Sequence, residues 1–356
     1  MFMTDFPLTI LAGSEARQQL AGYGWTPERF DTLTGASGGA KLLALTHLDR
    51  FLFGDYLQRS QHPVELYGSS IGSWRHAALA APDPLYAITQ LQERYFSQAW
   101  DEQDPRSPTE IVDELCDWVL EGFLTPEVIH HIVNNSRFRT HIVTARGKGI
   151  NSRRGLLLGL GMGGAALGNL LNRGLLQTGF QRVVFSTGCG EAFRFRDFDT
   201  THIELNEARL KPALVASGSI PFLMSGVQGI DGAPAGHYWD GGIIDYHFDF
   251  RNHAGSGLVL YPHFGDEVVK GWFDKSLRWR RNDAAHMKRV VLLAPSREYI
   301  ARLPYGKIPD RKDFSKMKSA ERLLFWQTAM DQSRHLAEAF EAVISDPDPL
   351  ARVQPF

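Results

Sequence analysis

Two five-residue stretches share the pattern Gly-x-Ser-x-Gly: Gly35-Ala36-Ser37-Gly38-Gly39 and Gly68-Ser69-Ser70-Ile71-Gly72. Each lies between a short β-prone run (30–34 and 64–67) and a segment with helical apolar spacing (41–57 and 73–81). That is the setting of a nucleophile elbow, in which a serine on a sharp strand-to-helix turn projects its Oγ above a sheet. Flanking glycines remove the Cβ atoms that would clash in such a turn, and the helix that follows aims its dipole and free amides at the reacting centre. The first stretch continues as Gly38-Gly39-Ala40-Lys41. Its small residues leave backbone N–H groups unobstructed, as an oxyanion hole requires. The second stretch then supplies the nucleophile, Ser70. A serine needs a base, and Asp240-Gly241-Gly242 follows the run 236–239. A carboxylate at a strand end, followed by two glycines, can be held close against another loop. His247, His253 and His263 come after Asp240 in chain order. They leave open a Ser-His-Asp arrangement that uses Ser37 or Ser70.

The elements that must position these residues alternate. Strand, glycine turn and helix occur twice within the first 81 residues, which implies a parallel sheet with helices on its faces. Function in such sheets gathers at the turns leaving the carboxyl ends of the strands. Residues 84–135 read as helical, 141–145, 182–186, 257–261 and 289–293 as strands, and 319–344 as one long amphipathic helix. No repeat or low-complexity linker divides the chain. The expectation is one α/β domain over 1–356 with a helical insertion near 84–178.

The glycine-rich loop, the Gly-x-Ser-x-Gly turn and the distant Asp-Gly-Gly together resemble the patatin family of lipid acyl hydrolases. Ala216-Ser217-Gly218-Ser219-Ile220-Pro221 is similar to the block upstream of that family's aspartate. The four blocks follow the family's order across residues 35–242. The resemblance implies a three-layer α/β/α fold with a mostly parallel sheet. It implies a Ser70–Asp240 dyad that works without histidine, cofactor or metal. Gly38, Gly39 and Ala40 would line the oxyanion hole, Lys41 matches the basic position after the glycines, and Gly68, Gly72, Gly241 and Gly242 support the turns. The expected activity is hydrolysis of carboxylic esters of lipids through an acyl-enzyme. The sequence departs from the family at Ser37, Ile71 and Ser219, which bears on substrate preference. A non-catalytic lipid-binding protein of the same shape is the competing class.

The 356 residues carry 38 Lys+Arg against 40 Asp+Glu, a formal charge of −2. With no basic block, this excludes a dedicated nucleic-acid binder. Hydrophobic residues at 43% supply a sizeable core and exclude global disorder. Cys116 and Cys189 allow at most one disulfide, and two free thiols in a reducing compartment is the simpler reading. The N-terminus lacks a basic n-region, which argues against a cleaved secretory signal. The expected location is cytoplasmic, with peripheral contact at the inner membrane face left open. The oligomeric state is not fixed by the sequence.

Residues 155–172 are uncharged and bracketed by Arg154 and Arg173. Gly159, Gly161 and Gly164 match G-x-G-x-x-G there, but the next β run ends in Ser186 and Thr187 rather than an acid, against a dinucleotide site. The run is also short for a membrane span. A buried helix or an apolar lid over the acyl site is expected, and a lipid-touching surface is the alternative. Asp245, His247 and Asp249 share period-two spacing, which reads as a solvated strand face rather than a metal site. Cys189 reads as a buried structural thiol. The aromatic–basic stretch 271–281 reads as a packed loop or an anionic-headgroup patch.

Overall fold

The structure, a computed structural model, describes residues 6–99, 104–188, 190 and 192–356. Among these, one sheet contains β1 (Leu8–Ala12), β2 (Phe30–Gly35), β3 (Val64–Ser69), β4 (Phe138–Gly147), β5 (Phe180–Ser186), β6 (Thr200–Glu204), β7 (Val227–Gln228), β8 (His237–Asp240), β9 (Leu258–Pro262), β10 (Val290–Pro295) and β11 (Val353–Pro355). The order is β11-β1-β10-β9-β2-β3-β4-β5-β6, with β8 pairing β4 and β7. The central run from β10 to β4 is parallel throughout. β1 and β5 lie antiparallel to β10 and β4.

Parallel strands need both faces covered, and the burial shows it. Every residue of β5, β9 and β10 is buried, and β2 and β3 each leave one residue partly exposed. With its flanking helices this is the expected three-layer α/β/α architecture.

Three helices, Pro84–Phe96, Pro108–Glu121 and Pro126–Val133, follow the second Gly-x-Ser-x-Gly turn. Each opens on a proline, preceded by Asp83, Ser107 or Thr125 as a side-chain cap. The chain then re-enters the sheet as β4, so the helical stretch expected over 84–178 is interrupted by a central strand. A second excursion, with a helix at Gly155–Leu171, separates β4 from β5.

Elsewhere the local form differs from the expected one. Residues 41–57 are not a single α-helix. They pass through a 3₁₀ turn (Gly39–Leu45), an α-helical turn (Thr46–Phe51) and a π-helical turn (Leu52–Tyr56). Leu42, Leu45, Leu48 and Leu52 are still all buried, because apolar spacing marks a face without fixing the pitch. The long C-terminal helix is two, Ser319–Gln332 and Arg334–Ile344. At their junction Ser333 Oγ donates to the Met330 carbonyl at 2.6 Å and accepts from His47 N at 3.0 Å. Such back-bonding bends helices. β1, β6, β7 and β11 were not anticipated from the sequence.

Candidate active site

β4 aligns the two ends of the site. Ser69 pairs with Val143, and Asp240 pairs with Thr144, the next residue along. Because β5 occupies the other side of β4 over the same residues, β3 and β8 share one side in succession. The chain leaving β3 at Ser70 therefore meets the end of β8.

Ser70 takes φ 55° and ψ −132°, in the left-handed region that a non-glycine residue seldom adopts. The turn is secured from below. Ser70 N donates to Ser217 Oγ at 2.9 Å, Ser217 Oγ donates to the Val143 carbonyl at 2.7 Å, and Ser73 Oγ lies 2.9 Å from Ser217 Oγ. Helix Ile71–Leu79 begins at once. Gly72 is required by close approach: a Cβ there would stand 2.1 Å from the Gly35 carbonyl oxygen. The two Gly-x-Ser-x-Gly turns thus pack glycine against glycine.

Ser70 Oγ donates to Asp240 Oδ2 at 2.8 Å. The other carboxylate oxygen, Oδ1, accepts the Gly242 N–H at 2.7 Å. A Cβ on Gly242 would fall 2.8 Å from Asp240 Oδ1 and 2.6 Å from Ser37 Oγ, so only glycine brings this amide to the carboxylate. Burial pushes the Asp240 carboxyl up to about 6, opposed by the Ser70 and Gly242 hydrogen bonds and the charges of Lys275 and Arg311. A base titrating there is ionised at neutral pH and still able to take a proton.

A cavity of about 490 Å³ opens over the pair. Ser70, Asp240, Gly38, Gly39, Lys41 and Gly242 all line it. Ala40 does not; its side chain belongs to the core. Gly39, at φ 55°, opens the 3₁₀ turn, and a helix start leaves its first N–H groups without intrahelical acceptors. Gly68 and Gly241 lie behind the cavity wall, packed against Ser73 and Val143.

Ser37 also lines the cavity, but its Oγ donates to Ser69 Oγ at 3.1 Å and makes no hydrogen bond to a carboxylate or histidine among the described residues. Of the histidines, His247 and His263 line the cavity and pack edge to face at 4.2 Å. His247 Nδ1 accepts from Val269 N at 3.0 Å, and His263 Nδ1 lies 2.6 Å from the Gly265 carbonyl. Burial holds His247 well below its ordinary range and brings His263 down to about 3. His253 lies outside the cavity against Phe193, and burial lowers it to about 4. No hydrogen bond joins any of the three to Ser37 or Ser70 among the described residues.

The cavity recruits residues that the sequence did not single out. Lys275 Nζ sits 3.9 Å from the Tyr246 ring centroid. Burial, and then the charge of Lys41, lower its ammonium to about 8. Arg311 and Lys312 join Lys41 and Lys275 on the lining. The acids Asp266 and Glu267 on the rim are already paired with Arg297 and Arg281. The signal for Lys275 lay in the aromatic–basic stretch 271–281; that for Arg311 and Lys312 is not local.

Asp245 and Asp249 do not share a strand face, because the segment after Asp240 turns through a 3₁₀ helix at Gly241–Ile243. Asp245 is clamped by Arg182 at 2.6 and 2.8 Å, and Asp249 pairs with Arg251 and Lys270. Among the described residues no group of three His, Cys, Asp or Glu is arranged to hold a metal. Cys116 is half-buried, its thiol pushed up to about 12 by burial; Cys189 lies outside the described residues.

The family description of patatin-like phospholipase matches residues 34–247, more than half of the chain. The chain belongs to the patatin-like phospholipase family. The match covers both Gly-x-Ser-x-Gly turns, Ser217 and Asp240, and ends before Lys275 and the 310–312 segment. Neither a curated protein nor a solved structure shows a significant match. Membership places the chain in a family of lipid acyl hydrolases.

Proposed function

We propose that this patatin-like protein hydrolyses carboxylic esters of lipids in two steps, with Ser70 as nucleophile and Asp240 as base. The reading rests on one observation above all: Ser70 Oγ donates to Asp240 Oδ2 at 2.8 Å on the floor of a cavity that Gly38 and Gly39 also line. Asp240 takes the proton as Ser70 Oγ attacks the ester carbonyl. The developing oxyanion is met by amides of the glycine loop at Gly38 and Gly39, with Lys41 adding positive charge. The protonated Asp240 then returns its proton to the departing alcohol. Water, deprotonated in turn by Asp240, cleaves the acyl-enzyme and restores Ser70. No step needs a cofactor or a metal.

The whole chain is read as one domain. Among the described residues no helix is long and apolar enough to cross a membrane; the proposed place of work is the cytoplasmic face of a membrane, in peripheral contact.

The test is hydrolysis of a chain-length series of p-nitrophenyl esters, together with labelling by a fluorophosphonate probe. Ser70→Ala is expected to abolish both, and Asp240→Asn to reduce turnover by at least about 10³-fold. Ser37→Ala should retain activity. A dead Ser37→Ala beside an active Ser70→Ala would overturn the assignment. An inert, unlabelled wild type would favour a lipid-binding protein without turnover.

A further inference from the structure

Helix Gly155–Leu171 is apolar on two opposite faces. Leu158, Met162, Ala165 and Asn169 recur at helical spacing on the inner one. The three apolar residues pack with Phe180, Trp239 and Ile244 in a small satellite core, and Asn169 Nδ2 donates to Asp274 Oδ1 at 2.9 Å. The outer face carries Leu156, Leu160, Leu167 and Leu171, which are 81%, 60%, 68% and 81% exposed. The buried helix or apolar lid expected from the sequence is therefore a half-buried helix, none of whose residues lines the cavity. A helix hydrophobic on all sides calls for cover on all sides.

Two exposed aromatic residues extend the stripe. The Phe222 ring lies 4.0 Å from where a Cβ on Gly159 would be, and its φ of 69° is a strained conformation for a bulky residue. Trp279 is fixed beside the helix end by its neighbour Arg280, whose guanidinium donates to Asn169 Oδ1 at 3.3 Å and to the Leu170 carbonyl at 3.1 Å. Both aromatics are more than half exposed.

We infer that this face docks onto an anionic lipid bilayer, with the leucine stripe, Phe222 and Trp279 entering the boundary between headgroups and acyl chains. The charge pattern supplies the occupant. Arg153, Arg154 and Arg278 frame the stripe, exposed and without a carboxylate partner among the described residues. No acidic residue occurs between Glu127 and Glu191. Arg153 and Arg154 stand at the start of the helix, where its dipole disfavours cations, so helix stability does not account for them. A two-fold pairing with a second copy would set one cationic frame against another. At 17 residues the helix is about 25 Å long, short of the roughly 30 Å hydrocarbon core, so it lies in the interface rather than across it.

The face is continuous with the cavity. Ile220 lines the mouth two residues before Phe222, and Trp272 and Lys275 line it shortly before Trp279. Docking thus brings the mouth to the lipid. The surface takes its purpose from the hydrolase reading, but its occupancy is measured independently of turnover.

The experiment is flotation with vesicles of phosphatidylcholine and phosphatidylglycerol at 7:3, and with phosphatidylcholine alone. The wild type should float with the anionic vesicles and far less with the neutral ones. The variant carrying Leu156→Ser, Leu160→Ser, Leu167→Ser and Leu171→Ser should bind at least about tenfold more weakly. Arg153→Gln, Arg154→Gln and Arg278→Gln should each cost about fivefold at low salt. Both sets should cleave a soluble short-chain p-nitrophenyl ester like the wild type, which shows that they fold. Ser70→Ala should float unchanged while losing turnover. A wild type that stays in solution, or leucine variants that float like it, overturns the inference. So does a wild-type dimer that the leucine substitutions turn into monomer. Flotation that follows the pattern in a protein without esterase activity would overturn the hydrolase reading alone.

Discussion

A Cβ on Gly72 would stand 2.1 Å from the carbonyl oxygen of Gly35, and both partners are backbone. No rotamer change relieves that contact. Gly72→Ala is expected to push the two serine turns apart, destabilise the fold by about 1–3 kcal/mol and abolish fluorophosphonate labelling of Ser70. Gly163→Ala is the control: a Cβ there meets nothing within 4 Å, on a helix. It should stabilise by roughly 0.5–1 kcal/mol. Thermal unfolding of the two variants checks both signs.

The pH dependence of kcat/KM on a soluble ester should show an acid limb near pH 6, where Asp240 becomes protonated and ceases to act as a base. The charge of Lys275 favours the Asp240 carboxylate. Lys275→Met should therefore move that limb upward. A limb that stays fixed would show that Lys275 does not act on Asp240.

The same carboxyl has a signature in stability. Its folded value, about 6, lies above the ordinary aspartate value of 3.8, so between these values the folded state holds more protons than the unfolded one. Stability from this group is present at low pH and is lost as pH rises through about 6. Asp240→Asn removes the buried charge. It should raise the unfolding free energy by about 1–3 kcal/mol at pH 8 and by little near pH 4. Denaturant titrations of both proteins at the two pH values measure the difference.

Five residues beyond Asp240, the fully buried Asp245 is held by the equally buried Arg182, which also reaches Asp197 at 2.8 Å. Removing Asp245 leaves the buried Arg182 guanidinium compensated by Asp197 alone. Asp245→Ala should cost about 3–5 kcal/mol. Urea unfolding reads the loss, and weaker ester turnover should accompany it, because the same segment carries Asp240, Gly242 and Tyr246.

The serine turns were legible because their chemistry is local: small residues, a strand before and a helix after, all within a dozen positions. Ser70 and Asp240 could be named for the same reason. Their pairing is implied only by the family resemblance and not by the local residues, since it depends on the register of Ser69 and Asp240 along β4, which no segment encodes alone. The cations Arg311 and Lys312, which reach the cavity from far along the chain, could not be read locally. Leu8–Ala12 is too short a run to announce β1; its strand exists because β10 and β11 pair with it. For Gly155–Leu171 the sequence fixes apolarity but not cover. Leu156 and Leu158 are the same residue type two positions apart, and only the surrounding fold exposes one and buries the other.

The shared strand has a consequence for how such a protein can change. The spacing of Ser70 and Asp240 is metered by two adjacent rungs of β4, while the helices of 84–133 and 149–179 enter and leave that strand at its two ends. Those excursions can lengthen, shorten or be exchanged without altering the metering. Surface preference is thereby free to diversify while the distance between serine and aspartate stays constant.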